Sequence, residues 1–557
     1  MRKIIVYALI PMLFFACSKD TTQVTIIPQD EAVEEEQSDS PVEPELSTQF
    51  LRANGASIVD GNQDTVQLQG VAFGNFIWTN TPEPSPHHTE EDFVRVKAMG
   101  MNTIRFYLHY LFFEDDSKPY TYKQSGWDWL DQNIEWAKKH DVYLILNMHA
   151  PQGGYQSQGN GDALWNQTEN QNRLVALWKA IADRYKGEDR IAGFGPVNEP
   201  VPPQSMTQWS VLAQKLVDGI REVDKNHLIF LERAIYVKGA NGVDENLNFP
   251  QVNGTGIVYE FHEYTPFFYT HQLFDWASLG DGGKYPDENL IESNDLTWYT
   301  ASFDNPTIPS ITTDWTFYEG ERYLVDDPNI SVALPALIGG NTGETVFFDD
   351  IVIKEYDENG AFVRNVYESS LDSFDGWSFW SQNQSGNAGL STTEGNSANS
   401  SLFIENTSSD ANISNYAAIF EPQQGYSYQI DGWMKGENLA NNANCLLRVD
   451  FYKSNGPLQR RNKDFLESTI LPVVNWSNEK NVPIYMGEFG AGTPCFSNDK
   501  GGLIWVEDMV SILKQYNIPF TYHSYHEDSF GLYLGFGLPD PSNVNQPLID
   551  WFTANLN

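Results

Sequence analysis

Cysteine is nearly missing from this chain: three in 557 residues, Cys17, Cys445 and Cys495. That excludes a disulfide framework and any cysteine cluster spaced for a metal. Cys445 and Cys495 remain open, free or bridged according to how the fold brings them. Basic residues are also scarce. Lys plus Arg number 34 against 75 Asp plus Glu, a formal charge of −41. A chain so acidic, with no basic patch, repels phosphate backbones, which excludes nucleic acid as a partner. The N-terminal apolar run "IIVYALIPMLFFA" (4–16) is too short to span a bilayer as a helix. What is plentiful is aromatic side chains, 14 % of the residues. Trp and Tyr serve as core, and they also serve as stacking platforms for sugar rings.

The first residues read as a targeting segment. Met1, Arg2 and Lys3 form a basic head, the apolar run follows, and Ala16 precedes Cys17. The pattern resembles a bacterial lipoprotein signal, with Phe14 where Leu is usual. The resemblance implies an acylated Cys17 as mature N-terminus, and Ser18 after it argues against retention in the inner membrane. The expectation is a cell-envelope lipoprotein, on an outer membrane, periplasmic or surface-exposed. An ordinary cleaved signal peptide is the alternative. Residues 18–47, with "DEAVEEEQSDSPVEPE", cannot bury a core and read as an acidic, disordered tether.

From residue 48 strands and helices alternate. Eight strand candidates lie at 66–74, 102–108, 142–149, 191–198, 227–233, 256–264, 482–489 and 519–525. They are apolar on both faces, as parallel strands covered by helices must be. Amphipathic helices are predicted at 89–99, 127–139, 171–186, 207–223, 462–479 and 503–516; in the second, Trp127, Leu130, Ile134 and Ala137 share one face. The fold class is α/β, a (β/α)8 TIM barrel. Between 297 and 456 the pattern turns all-β, rich in Gly, Asn, Ser and Thr, and predicts a sandwich. The domains are therefore 1–17 signal, 18–47 tether, 48–296 and 457–557 barrel, and 297–456 an inserted module. It leaves the loop after strand six, on the face where barrel active sites lie.

Polar residues stand at the carboxyl ends of these strands: Arg105, His149, Asn198, Glu199, His262, Tyr264 and Glu488. A barrel brings all those ends to one rim. The motifs "VNEP", "FHEY" followed by "THQ", "YMGEFG", "NTIRF" and "LNMH" resemble family 5 glycoside hydrolases, within the wider clan of retaining barrel glycosidases, over 66–276 and 457–557. The resemblance implies that Glu199 is the general acid/base, holding a proton for the leaving oxygen, and that Glu488 is the ionised nucleophile. Arg105 and Tyr264 would hold Glu488, Asn198 would meet the sugar 2-hydroxyl, His262 would bond near the acid, and His149 would line the −1 subsite. Two departures stand out. Where the family carries a tryptophan floor after strand eight, "FTYHSYHEDSFGLY" places His523, a smaller platform, so either stacking is weaker or Tyr522, Tyr525 or Trp78 supplies it. Pro196 falls inside the predicted fourth strand, where it removes a ladder donor. Glu232, Glu260 and Glu263 read as hydrogen-bonded rim residues, and His87, His88 and His271 are not spaced like a zinc site.

The inserted segment resembles a jelly-roll carbohydrate-binding module with its halves in reversed order, a circular permutation joined through about 356–370. Trp315, Trp377, Trp380 and Trp433 serve either as core or as platforms, and Asp349 with Asp350 are candidates for a structural calcium. The expected activity is endo-hydrolysis of a β-1,4-linked glucan with retention. Mannan, xyloglucan and other β-glycans stay open, as does a non-catalytic, glycan-binding surface protein. No cofactor is required. The expected partners are a polysaccharide and, through the lipid anchor alone, a membrane; the chain is expected to be a monomer.

Overall fold

The computed structural model describes residues 50–556, leaving out 158–159, 240–241, 278 and 294–295. The signal segment, Cys17 and the tether lie outside the described residues. No helix among the described residues is long and apolar enough to cross a membrane.

All eight predicted strands form one closed parallel barrel: β1 (Gln69–Phe73), β2 (Thr103–His109), β3 (Tyr143–Ala150), β4 (Ile191–Gly195), β5 (Leu228–Glu232), β6 (Ile257–Glu263), β7 (Ile484–Phe489) and β8 (Phe520–Tyr522). They pair in chain order, and β8 closes on β1. The inner face is layered. Ile145, Ala192, Leu228, Phe230, Val258 and Tyr485 fill its lower part, and Leu51 and Ile58 of an N-terminal hairpin join that cluster. Two residues further along β2, β3, β5 and β6 come Arg105, Asn147, Glu232 and Glu260, all buried and polar. A strand's side-chain period of two thus turns an apolar plug into a polar rim on the same face.

Helices cover the outside, among them Glu90–Ala98, Gln124–Lys139, Thr168–Tyr185, Met206–Val223, Lys463–Lys480 and Gly502–Gln515. No helix follows β5 among the described residues; those of 233–256 form turns and extended segments instead. Pro196 is not inside β4, which ends at Gly195. Its missing N–H therefore costs no ladder bond, and its carbonyl accepts from the Trp178 indole at 3.0 Å.

Between Leu296 and Ser454 two antiparallel sheets, of five and seven strands, enclose a second core that includes Phe348, Ile353, Trp377, Leu447 and Phe451. Its neck is a two-stranded ribbon, Asp287–Glu292 against Gln459–Arg461, so the excursion begins before 297 and ends after 456. The stretch 356–370 is no plain connector. Phe362–Ser369 pairs antiparallel with Thr345–Tyr356 across the turn at 357–361. Cys445 and Cys495 are both free and buried, one in each core.

The Asp349 and Asp350 carboxylates already accept from N–H and O–H donors. Asp349 takes the backbone N–H of Asp350 and of Asn396, and Asp350 takes the Asn396 amide and the Ser397 hydroxyl. They pin the 396–397 turn, and a ring of converging oxygens, which calcium needs, is not formed by the pair.

Candidate active site

Arg105 organises the rim. It is fully buried on β2, and its planar fork meets three elements at once. Nη1 donates to Glu488 Oε1 at 2.5 Å, Nη2 donates to Asn198 Oδ1 at 2.8 Å, and Nε faces Glu260 Oε1 at 2.7 Å. A buried guanidinium needs such partners, and an unpaired charge there would be costly. The carboxylate of Glu260 has room only because residue 487 is glycine. A Cβ on Gly487 would stand 1.8 Å from Glu260 Oε1.

Gly487 has a second effect. The β6–β7 register slips between Phe261↔Met486 and His262↔Glu488, leaving Gly487 without a partner. Strict alternation from the inward Tyr485 would point residue 488 outward; the bulge returns Glu488 to the inner face. There it is held by three donors. Besides Arg105, Tyr107 donates to Oε1 at 2.5 Å and Tyr264 to Oε2 at 2.8 Å. Burial would raise the Glu488 pKa, but attraction from His262 and Arg105 outweighs it and holds the carboxyl well below the usual range.

Glu199 sits differently. It follows β4 in left-handed backbone, φ +44°, a conformation costly for any residue but glycine. What holds it is Glu232, whose Oε2 accepts the Glu199 N–H at 2.9 Å. His262 closes the pocket. Its Nδ1 lies 3.0 Å from Glu199 Oε1, 3.3 Å from Glu232 Oε1 and 3.6 Å from Glu488 Oε2. One imidazole nitrogen thus touches the space of both expected catalytic carboxyls. Burial would lower the His262 pKa, yet Glu232 and Glu488 raise it well above the ordinary value. Burial also pushes Glu232 well above the carboxylate range, against the pull of His262.

His149 is buried on β3, stacked on Tyr107 with centroids 3.9 Å apart. Its Nε2 lies 3.0 Å from the Tyr155 hydroxyl and 3.3 Å from Asn198 Nδ2. His523 is no aromatic floor. Its Nδ1 lies 3.0 Å from the Tyr107 hydroxyl and its Nε2 3.2 Å from Glu527 Oε1. Glu527, His523, Tyr107 and Glu488 therefore form one polar chain. Burial would lower the His523 pKa, but Glu527 and Glu488 raise it.

Tyr522 is a correction. It points away from the rim, packs on Phe552 at 5.5 Å and donates to the Ala491 carbonyl. Thr521 and His523 take the inward positions of β8, so the residue between them faces the helices. Tyr525 is likewise buried, donating to Asp92. Trp78 stands half-exposed beyond β1, edge-on to Phe76. His87 and His88 lie together, their Nδ1 atoms 3.0 Å apart, away from this constellation.

Glu199, Glu232 and His262 bring ligand atoms within 4.8 Å of one another, the one such group among the described residues. The group fits a metal poorly. A ligating histidine must be deprotonated, whereas the carboxylates around His262 favour its protonated form. One Glu232 oxygen is also taken by the Glu199 N–H.

A closed parallel barrel with one carboxyl on a strained turn after β4 and another clamped at the end of β7 is the architecture expected of the barrel glycosidases. Residues 59–323 match the family model described as Cellulase (glycosyl hydrolase family 5). That match runs into the inserted segment and stops short of β7. Among curated proteins the chain is 33 % identical over 228 residues to Endoglucanase C of Acetivibrio thermocellus, covering 39 % of this chain and 64 % of the relative. It is 28 % identical over 324 residues to the glucan 1,3-beta-glucosidase of Candida oleophila, covering 53 % and 70 %. The chain thus spans less than two thirds of the first relative's length.

Proposed function

We propose that this protein is a retaining, endo-acting β-glycosidase that hydrolyses a β-1,4-linked glucan. The observation that carries the reading is His262 Nδ1, which lies within 3.6 Å of both Glu199 and Glu488. Two carboxyls around one small pocket suit a double displacement, which asks for about 5–5.5 Å between them. In the first step Glu488 forms an ester bond to the anomeric carbon as the glycosidic bond breaks, and Glu199 gives its proton to the departing oxygen. In the second, Glu199 takes a proton from water, whose oxygen displaces Glu488. Asn198 is positioned by Arg105 to meet the sugar 2-hydroxyl, and His149 and Tyr155 line the same pocket. No step calls for a metal or organic cofactor.

The name of the relative from Acetivibrio thermocellus supports an endoglucanase. A second reading, an exo-acting β-1,3-glucosidase, is favoured by the Candida oleophila protein, whose match extends over more of this chain. One panel separates them: reducing-sugar release from β-1,4-, mixed-linkage and β-1,3-glucans, mannan and xyloglucan, with the anomeric form of the first product read by proton NMR. Release of β-anomers from β-1,4-glucan supports the first reading. Single glucose units from β-1,3-glucan support the second. An α-anomer as first product overturns retention, and binding without release on every polymer favours the non-catalytic surface protein.

We also propose that the enzyme is anchored in the cell envelope through Cys17. Incorporation of labelled fatty acid that is lost in Cys17→Ser is the expected result.

A further inference from the structure

The loops after β6 and β8 build a continuous aromatic wall. Phe530 lies 5.7 Å from Tyr264 and 5.5 Å from His523, both beside the nucleophile. It also lies 5.0 Å from His271 and 5.5 Å from Phe274. Phe274 stacks on Trp276 at 5.3 Å, and the Trp276 indole donates to the Ser529 hydroxyl. Trp276 is 62 % exposed, far more than tertiary packing alone requires of a tryptophan.

The same loop then runs into the sandwich. Leu279 forms a bridge with Ser378, and the Gly376 N–H donates to the Asp281 carbonyl. Trp276 stands three residues before Leu279 and Trp380 two residues after Ser378, so the two rings flank one bridge between the barrel loop and the sandwich. Trp380 belongs to the edge strand Trp377–Ser381; Trp377 is core, whereas Trp380 is 54 % exposed.

The junction is rigid. A Cβ on Gly280 would stand 2.0 Å from the Phe374 carbonyl oxygen, a fit only glycine allows. Asp281 pairs with Lys500 at 2.5 Å, and Arg461 pairs with Glu292 at 2.7 Å. A module that merely recruits polymer needs no such fixed seat. The surroundings are polar as well: Asn412 lies across from Trp380 and Ser414 across from Ser378. Flat rings set among amides and hydroxyls suit a ligand with C–H faces and hydroxyl edges better than an apolar protein surface.

We propose that the sandwich completes the substrate cleft, with Trp276 and Trp380 as successive platforms for one extended β-glucan chain whose other end occupies the pocket of Glu199 and Glu488. This rests on the glycosidase reading above. The test is kcat/KM over a ladder of β-linked gluco-oligosaccharides of two to seven units. Trp276→Ala and Trp380→Ala should each lower the ratio of longest to shortest by about tenfold. Trp380→Tyr, which keeps a ring, should recover most of that ratio, and Phe362→Ala, an exposed ring on the other sheet, should not move it. A ratio unchanged in Trp380→Ala overturns the inference, and a response in Trp276→Ala alone also overturns it by confining the subsites to the barrel. If no ladder member is hydrolysed, the glycosidase reading fails. Titration of the seven-unit oligosaccharide, followed by calorimetry, then decides the inference separately: about tenfold weaker binding in Trp380→Ala supports it, and equal binding overturns it.

Discussion

The two carboxyls proposed as catalytic are the same side chain in two environments. Glu488 receives three donors, from Arg105, Tyr107 and Tyr264, and lies at a regular strand end restored to the inner face by a bulge. Among the described residues the Glu199 carboxyl has one hydrogen-bonding side chain beside it, His262, and its position comes from its backbone, a left-handed turn whose N–H is tied to Glu232. Donors converging on a carboxylate favour its charged form. Fewer donors converge on Glu199 than on Glu488.

That contrast can be broken at its strong end. Glu488→Gln keeps the shape and removes the nucleophile; kcat should fall by at least about 10⁴-fold with KM little changed, read by reducing-sugar release. Near-normal turnover would refute the assignment. Next comes Glu199→Gln. On polymer the loss should be about 10²–10⁴-fold, the range for general acid catalysis. With an aryl glycoside whose leaving group needs no proton, the first turnover should stay near the wild-type rate. Equal loss on both substrates would mean that Glu199 is not the acid.

Tyr107→Phe tests the donor count on Glu488. Losing one hydrogen bond to a charged group should cost about tenfold in kcat/KM. It should also move the acid arm of the pH profile. With all three donors Glu488 stays ionised in the folded protein as pH falls through the ordinary Glu value near 4.3, so the wild-type arm should lie below that value. With one donor gone the arm should rise toward it. The smallest effect is expected for Glu527→Gln, about two- to threefold in kcat/KM, because it acts through His523 and Tyr107. A larger loss than in Tyr107→Phe would show that His523 touches substrate directly.

The barrel was legible because its strands are short apolar runs with a polar residue at one end, and that end is the rim. Arg105, Asn198, Glu199, His262, Tyr264 and Glu488 all meet there, as their motifs implied. Tyr107 went unread although the period of two from Arg105 points to it. Glu232 and Glu260 looked like rim acids because a buried carboxyl is tolerable only beside its partner, and the partner, Arg105, sits on a distant strand. The bulge at Gly487 leaves no mark in a residue pattern. Tyr522, one of three candidates for the stacking ring, is turned outward by the alternation along β8. The ribbon 287–292 with 459–461 was hidden too, since a charged two-stranded neck has no apolar period to detect.

The sandwich leaves the barrel after β6 and returns before β7, so it separates Glu199 from Glu488 along the chain. A ribosome that has finished the ribbon has made the proposed proton donor, Glu199, but not yet the proposed attacking group, Glu488. Closure entropy grows only slowly with loop length, and an excursion joined at a narrow two-stranded base shortens the effective loop between β6 and β7. On the proposed reading the nascent chain therefore holds both carboxyls only once β7 has been made.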